Sequence, residues 1–152
     1  MSLSRWITRA TPTRTGAADL HLMVDPVEWR DLAQDIAAAG GRLLALWGTN
    51  RTGQCDTLHA VAIAPPRVLS ISVAIADGTR QFPGVEDVFP SASRMQRAVF
   101  DLCGLRSTAQ DTRPWLRHAA WPEDAFPLTA DQMPSPPPLP LDDYAFVRVE
   151  GD

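Results

Sequence analysis

Three apolar runs follow one another closely in the first half of the chain, and they restrict the architecture more than any other feature. They are Arg42 to Trp47, Thr57 to Ala64 and Val68 to Ala76. Each is too short for a typical helix, and turn-forming residues punctuate them: Asn50 to Gly53, Pro65-Pro66 and Asp77-Gly78. This pattern predicts strands joined as a meander. In the third run Leu69, Ile71, Val73 and Ile75 alternate with Ser70, Ser72 and Ala74, so large side chains face one way and small ones the other. Leu43 to Trp47 is apolar on both faces, which predicts a place in the centre of the sheet.

A sheet with one apolar face needs helices to cover it. Leu20 to Val24 alternates as a further short strand, and a helix should follow at once, with Asp25 as N-cap, Pro26 at N1 and Glu28 placed for a capping box. Trp29, Leu32, Ala33 and Ile36 would be its buried face, and Gly40-Gly41 its end. A second helix is predicted after Pro90, with the Ser91 hydroxyl as cap, Met95, Ala98, Val99 and Leu102 as the buried face, and Gly104 as a left-handed stop. Its flanks carry Arg94, Arg97 and Asp101. An exposed Arg97–Asp101 pair would contribute only roughly 0.3–0.5 kcal/mol, so these two are expected to serve the segment around Asp111 and Arg113 more than each other. The whole predicts an α+β, two-layer domain: a mixed, mostly antiparallel sheet of about four to five strands with two main helices on one side.

A chain of 152 residues has the length of one ordinary domain. Residues 1–130 are expected to form it. From Pro114 onward proline is frequent and Met133 to Leu141 reads MPSPPPLPL, so residues 131–152 are expected to be an extended, partly polyproline II linker or docking tail. The opening residues, with Arg5, Arg9, Arg14 and Pro12, show neither an apolar signal core nor a helical face, and predict a mobile arm or edge strand.

Net charge -4 and the lack of a basic stripe speak against a nucleic-acid binder, and no apolar run approaches the roughly 20 residues needed to cross a bilayer. Every basic residue is Arg, which removes Schiff-base chemistry and a phosphate-loop lysine. Cys55 and Cys103 are expected as free thiols in a reducing cytosol. His21, His59 and His118 lack ligand spacing, and there is no glycine-rich nucleotide loop or nucleophile elbow. The adjacent carboxylates Glu123-Asp124 and Asp142-Asp143 are expected as solvated charge. No cofactor, metal or catalytic residue is expected.

The run Phe89 to Leu105, FPSASRMQRAVFDLCGL, resembles the signature of the 30 kDa subunit family of respiratory complex I, the NADH-quinone oxidoreductase, an aromatic-x-E-R-E-x-x-D-L-F-G-I pattern. Arg97, Asp101, Leu102, Gly104 and Leu105 match it, whereas Gln96 and Ala98 replace its two glutamates and Cys103 its Phe. Asp111 and Arg113 are similar to a D-x-R motif, and Phe126-Pro127-Leu128 to an H-P-L-R segment with Thr129 in place of the Arg. Trp115-Leu116-Arg117-His118 and Trp121-Pro122 look closer to the domain found beside, or fused to, the large subunit of membrane-bound group 4 NiFe hydrogenases. The closing DYAFVRVEGD resembles the opening of such a large subunit, so the chain is expected to be an N-terminal piece of a longer protein or to keep a remnant of one.

The resemblance implies the fold of that 30 kDa subunit and a non-catalytic structural or assembly role. The partner would be the large subunit, 49 kDa-like or NiFe hydrogenase-like, and the chain's place the cytoplasmic side of the inner membrane, held there only through the complex. Arg113, Trp115, Arg117, His118 and Trp121 form the densest aromatic and guanidinium cluster of the chain. The indoles either cap the domain's own core or make a partner surface. The resemblance implies the second, with Arg94, Arg97, Asp101 and Asp111 beside them and Tyr144 and Phe146 added by the tail. The alternative is a free-standing binding module or a paralogue outside the complex, with a tail that self-associates in isolation.

Overall fold

Helix α1 (Ser4–Arg9) and the two-residue strand β1 (Thr11–Pro12) come first in the computed structural model, which describes residues 3–13, 18–50, 56–76, 78–117 and 121–129. Strand β2 (Leu20–Val24) leads directly into helix α2 (Pro26–Ala38), and the meander follows as β3 (Arg42–Thr49), β4 (Thr57–Ala64) and β5 (Arg67–Ala74). Strand β6 (Gln81–Phe82), helix α3 (Ala92–Cys103) and strand β7 (Arg106–Ser107) complete the described elements. The five-stranded sheet has the order β1-β2-β5-β4-β3. Only β2 and β5 run parallel in it. This is the mixed α+β architecture expected, with β6 and β7 as a separate small parallel pair.

The start of α2 forms as its sequence dictates. The Asp25 carboxylate accepts from the Glu28 N–H at 2.7 Å and the Glu28 carboxylate from the Asp25 N–H at 3.3 Å, satisfying two donors that a helix start leaves free. Trp29, Leu32, Ala33 and Ile36 are buried in one cluster with Leu22, Val24, Leu58, Leu69, Ile71 and Val73. Removing each Leu, Ile or Val side chain among them from water contributes roughly 1.5–3 kcal/mol. The chain then turns so tightly into β3 that a Cβ at Gly41 would lie 2.8 Å from the Ile36 carbonyl oxygen and closer still to that of Ile63. Only glycine fits there.

Three expectations need correction, and a fourth holds in one of its two alternatives. β3 is the edge strand, not a central one. A register shift between Leu43 and Ala45 leaves Leu44 exposed while Leu43 and Leu46 are buried, and this bulge is why the run looked apolar on both faces. The opening residues supply the edge strand β1 but no free arm before it: Trp6 of α1 is buried, and its indole N–H donates to Asp35 of α2 at 2.8 Å. Arg5 and Arg9 lie over that indole at 4.3 and 5.3 Å. A helix with one buried residue has no periodicity to read.

The other two concern α3. Ser91 is itself in the helical region and makes no side-chain cap bond. The fully buried row is Ala92, Gln96, Val99 and Cys103, with Met95 and Leu102 only partly buried against the core. The helix is rotated because Val99 and Cys103 face the strand, where the Cys103 thiol donates to the Gly48 carbonyl at 3.4 Å. Leu46 and Gly48 of β3 pair with Ala60 and Leu58 of β4, so α3 and α2 cover the same face.

The opposite face of the sheet carries both described histidines. His21 Nε2 and His59 Nδ1 lie 3.0 and 3.2 Å from the Ser72 hydroxyl, and Trp47 stacks on His59 with centroids 5.4 Å apart. Cys55, Asp77, His118 and the whole 131–152 segment with Asp142, Asp143, Tyr144 and Phe146 lie outside the described residues, as does most of the Asn50 to Gly53 turn.

Candidate interaction surface

The C-terminal end of α3 is closed by three separate groups. Gly104, at φ 69°, turns the chain left-handed and donates its N–H to the Phe100 carbonyl at 2.8 Å. The Arg80 guanidinium donates to the Cys103 carbonyl at 2.7 Å, and the Leu128 N–H to that of Leu102 at 2.9 Å. Segment 121–129 is thereby fastened to the helix, with the Phe126 ring edge-on to Phe100 at 5.5 Å.

Asp101 organises the loop that follows. The residue is 1% exposed, and one carboxylate oxygen accepts from the backbone N–H of Trp115 at 2.7 Å, Leu116 at 2.7 Å and Arg117 at 3.3 Å. Arg97 does not pair with it. Instead its guanidinium lies 3.5 Å from both Asp111 Oδ2 and the Arg113 carbonyl, while its Nε is buried without a hydrogen-bond partner. Arg113 donates to both Asp111 oxygens, at 2.9 and 2.8 Å. That side-chain bond, helped by the Arg113 backbone N–H, holds the Asp111 carboxyl well below the usual carboxylate range and raises the Arg113 guanidinium in turn. Arg117 donates to the Ala125 carbonyl at 3.1 Å and also reaches that of Pro122. The two loops are thus tied together.

What this scaffold holds outward is apolar. Trp115 is 45% exposed and Leu116 48%. Arg94 and Arg97 flank the indole, their guanidinium carbons 4.7 and 5.3 Å from the ring centroid. Trp115 therefore does not cap the core. Trp121 is half-buried next to the turn that Arg117 binds. Of the residues singled out by sequence, Arg94, Arg97, Asp101, Asp111, Arg113, Trp115 and Arg117 gather around α3, with Trp121 at the margin; His118, Tyr144 and Phe146 are not among those described.

Sequence reasoning missed three residues. Gln96 is buried on α3, accepting from the Val85 N–H at 2.8 Å and donating to Glu86 at 3.0 Å. Its place in the 4-3-4 row Ala92, Gln96, Val99, Cys103 was a usable signal. Arg80 had none, since its partners, the Cys103 carbonyl and the Asp56 carboxylate at 3.7 Å, are distant in sequence. Arg106 lies with its guanidinium carbon 3.7 Å from the Phe100 ring centroid. It borders a shallow, open cleft, enclosing only about 10 Å³, between α3 and residues 106–113, also lined by Arg97, Phe100, Asp101, Asp111 and Arg113. Among the described residues no group of three or more His, Cys, Asp or Glu comes together, and no helix is long and apolar enough to cross a membrane.

The family described as respiratory-chain NADH dehydrogenase, 30 Kd subunit, matches residues 22–137. No curated protein sequence matches significantly. Among solved structures, a chain of the membrane-bound sulfane sulfur reductase, described as an archaeal respiratory membrane complex, superposes with a TM-score of 0.65 at 16% identity, over 85% of this chain and 80% of the other. A trypsin-resistant fragment of Nqo5 superposes with a TM-score of 0.60 at 16% identity, over 73% of this chain and 98% of the fragment. At such identities the likeness is one of fold.

Proposed function

This chain belongs to the family of the 30 kDa subunit of respiratory-chain NADH dehydrogenase, and from that membership we propose that it is a non-catalytic docking and assembly subunit of a respiratory complex. The complex is of the complex I-like NADH-quinone oxidoreductase type or the related membrane-bound hydrogenase type, and the partner is its large subunit. One observation carries the reading. A buried carboxylate, Asp101, binds three consecutive backbone N–H groups of a loop whose Trp115 and Leu116 face solvent. Fixing a loop so that it presents apolar side chains to water is unfavourable for an isolated domain and favourable for one that binds through them. Trp and Arg are the side chains enriched at binding hot spots, and here two guanidinium groups already hold the indole in place.

Arg94, Arg97, Asp111, Arg113, Arg117 and Trp121 form the rim of this surface, and His118, Tyr144 and Phe146 extend it. The 131–152 tail lies along the same partner. Through that partner the protein sits at the cytoplasmic face of the inner membrane. The fold likeness to a chain of an archaeal respiratory membrane complex supports this setting.

Purification of the native full chain under mild conditions tests the proposal. The large subunit is expected to co-purify, and the double variant Trp115→Ala, Leu116→Ala to lose it, since a hot-spot truncation costs about 2 kcal/mol or more. A lone monomer from the native source would refute the reading and favour a free-standing module.

A further inference from the structure

The cleft beside Trp115 has a charge imbalance that its internal pairs do not remove. Three guanidinium groups line it, Arg97, Arg106 and Arg113, against two carboxylates, Asp101 and Asp111, a difference of 3 - 2 = +1. Asp111 is taken by Arg113 and Arg97, and the Asp101 oxygen described above by the loop N–H groups. Arg106 is left over. It is exposed, its guanidinium carbon lies over the Phe100 ring 3.7 Å from the centroid, and it has no carboxylate within ion-pair reach among the described residues. The unpartnered Nε of Arg97 adds a second donor without an acceptor.

We propose that this cleft receives one carboxylate side chain of the partner that docks on Trp115, bound chiefly by Arg106 with Arg97 behind it. The inference rests on the docking reading and adds the chemistry of the contact. One surplus charge matches a monoanion, whereas a phosphate dianion would be set against Asp101 and Asp111 as well. A guanidinium already held over an aromatic ring can still fork a carboxylate through its N–H groups, and less side-chain freedom is lost on binding. Covering by the partner would exclude water and strengthen the bond.

Two measurements on the full chain test this. The first is affinity for the co-expressed large subunit at low and high salt, comparing Arg106→Gln, Arg106→Lys and Trp115→Ala. Arg106→Gln should weaken binding about tenfold at low salt, Arg106→Lys by less, and both differences should shrink as salt screens the pair. Arg106 is exposed, so an unchanged unfolding midpoint will separate lost contact from lost fold. If Trp115→Ala weakens binding while Arg106→Gln does not, the carboxylate contact is wrong and the docking surface stands. If neither matters, both fail.

The second measurement needs no partner. Sodium acetate titrated into the labelled full chain should shift the Arg97 and Arg106 Nε–H resonances saturably, and Arg106→Gln should abolish the response at Arg97. No response to acetate, or a tighter response to inorganic phosphate, would overturn the assignment of a carboxylate.

Discussion

Asp101→Asn probes the interaction surface at its anchor. The wild-type oxygen accepts two bonds of 2.7 Å and one of 3.3 Å, and the residue is 1% exposed. A hydrogen bond to a charged acceptor contributes roughly 1.5–3 kcal/mol and a neutral one roughly 0.5–1.5 kcal/mol. Asparagine keeps an acceptor oxygen in place, so what is lost is the charge assistance: about 1 kcal/mol for each short bond and less for the long one. Trp115 and Leu116 are half exposed, so water can take up part of the deficit at the freed N–H groups. The expected loss is therefore about 2 kcal/mol. Urea unfolding of the full chain, followed by circular dichroism and tryptophan fluorescence, measures it. Hydrogen exchange at the amides of Trp115 and Leu116 should accelerate by roughly 30-fold if the loss falls on local opening. A loss of no more than about 0.5 kcal/mol, the value of an exposed helix pair, would refute the account.

Three further outcomes follow from the packing and the charges. The folded pKa of Asp111 lies below its unfolded value, so its stabilising contribution is present above roughly pH 4 and disappears as pH falls through the lower folded value; melting of wild type and Asp111→Asn across pH should show a gap at neutrality that closes in acid, and a gap that widened in acid would contradict the Arg113 pairing. Gly41→Ala should destabilise by about 3 kcal/mol or more, because the new Cβ meets the Ile36 carbonyl oxygen at 2.8 Å and no side-chain rotation relieves it; a denaturation midpoint near wild type would mean that the chain can open there. Trp6→Ala should cost about 3–5 kcal/mol, the loss of a buried aromatic, whereas a cost under about 1 kcal/mol would show that α1 does not belong to the folded unit.

How much of this was legible depended on whether a residue's partner lies nearby in sequence. β2, the capping box of α2 and the strand β4 were readable because alternation, caps and turn residues act within a few positions. The edge position of β3 was not, since a bulge at Leu44 mimics a two-faced apolar strand. The buried face of α3 was misplaced for a related reason: Gln96 counts as polar in any pattern, yet Val85 and Glu86 satisfy it completely enough to bury it. For the surface, the weakness of an exposed Arg97–Asp101 pair turned attention to residues 111–113, where Arg97 does bind but Asp101 does not. Nothing local could show that Asp101 would serve three backbone groups further on, or that Arg106 would be left without an acid.

The departures from the family signature can be weighed against the same geometry. A glutamate at 96 would place its carboxylate 3.0 Å from the Glu86 oxygen that now accepts from the Gln96 amide, so in this chain the neutral residue is the one that fits. The substitution is thus balanced by a contact inside the domain and leaves the outer side of α3 untouched. Arg97, Asp101 and Gly104, which keep their signature identities, hold the parts that shape that side: Arg97 meets Asp111, Asp101 the loop at 115–117, and Gly104 the turn against Phe126. Loss of the surface would be expected to begin with these three, because each acts on a loop that has few other ties to the sheet. Of the departures on the helix, Gln96 and Cys103 lie in the packed interior and Ala98 is half-buried, so the residues that shape the outward-facing loop are the matching ones and not the replaced ones.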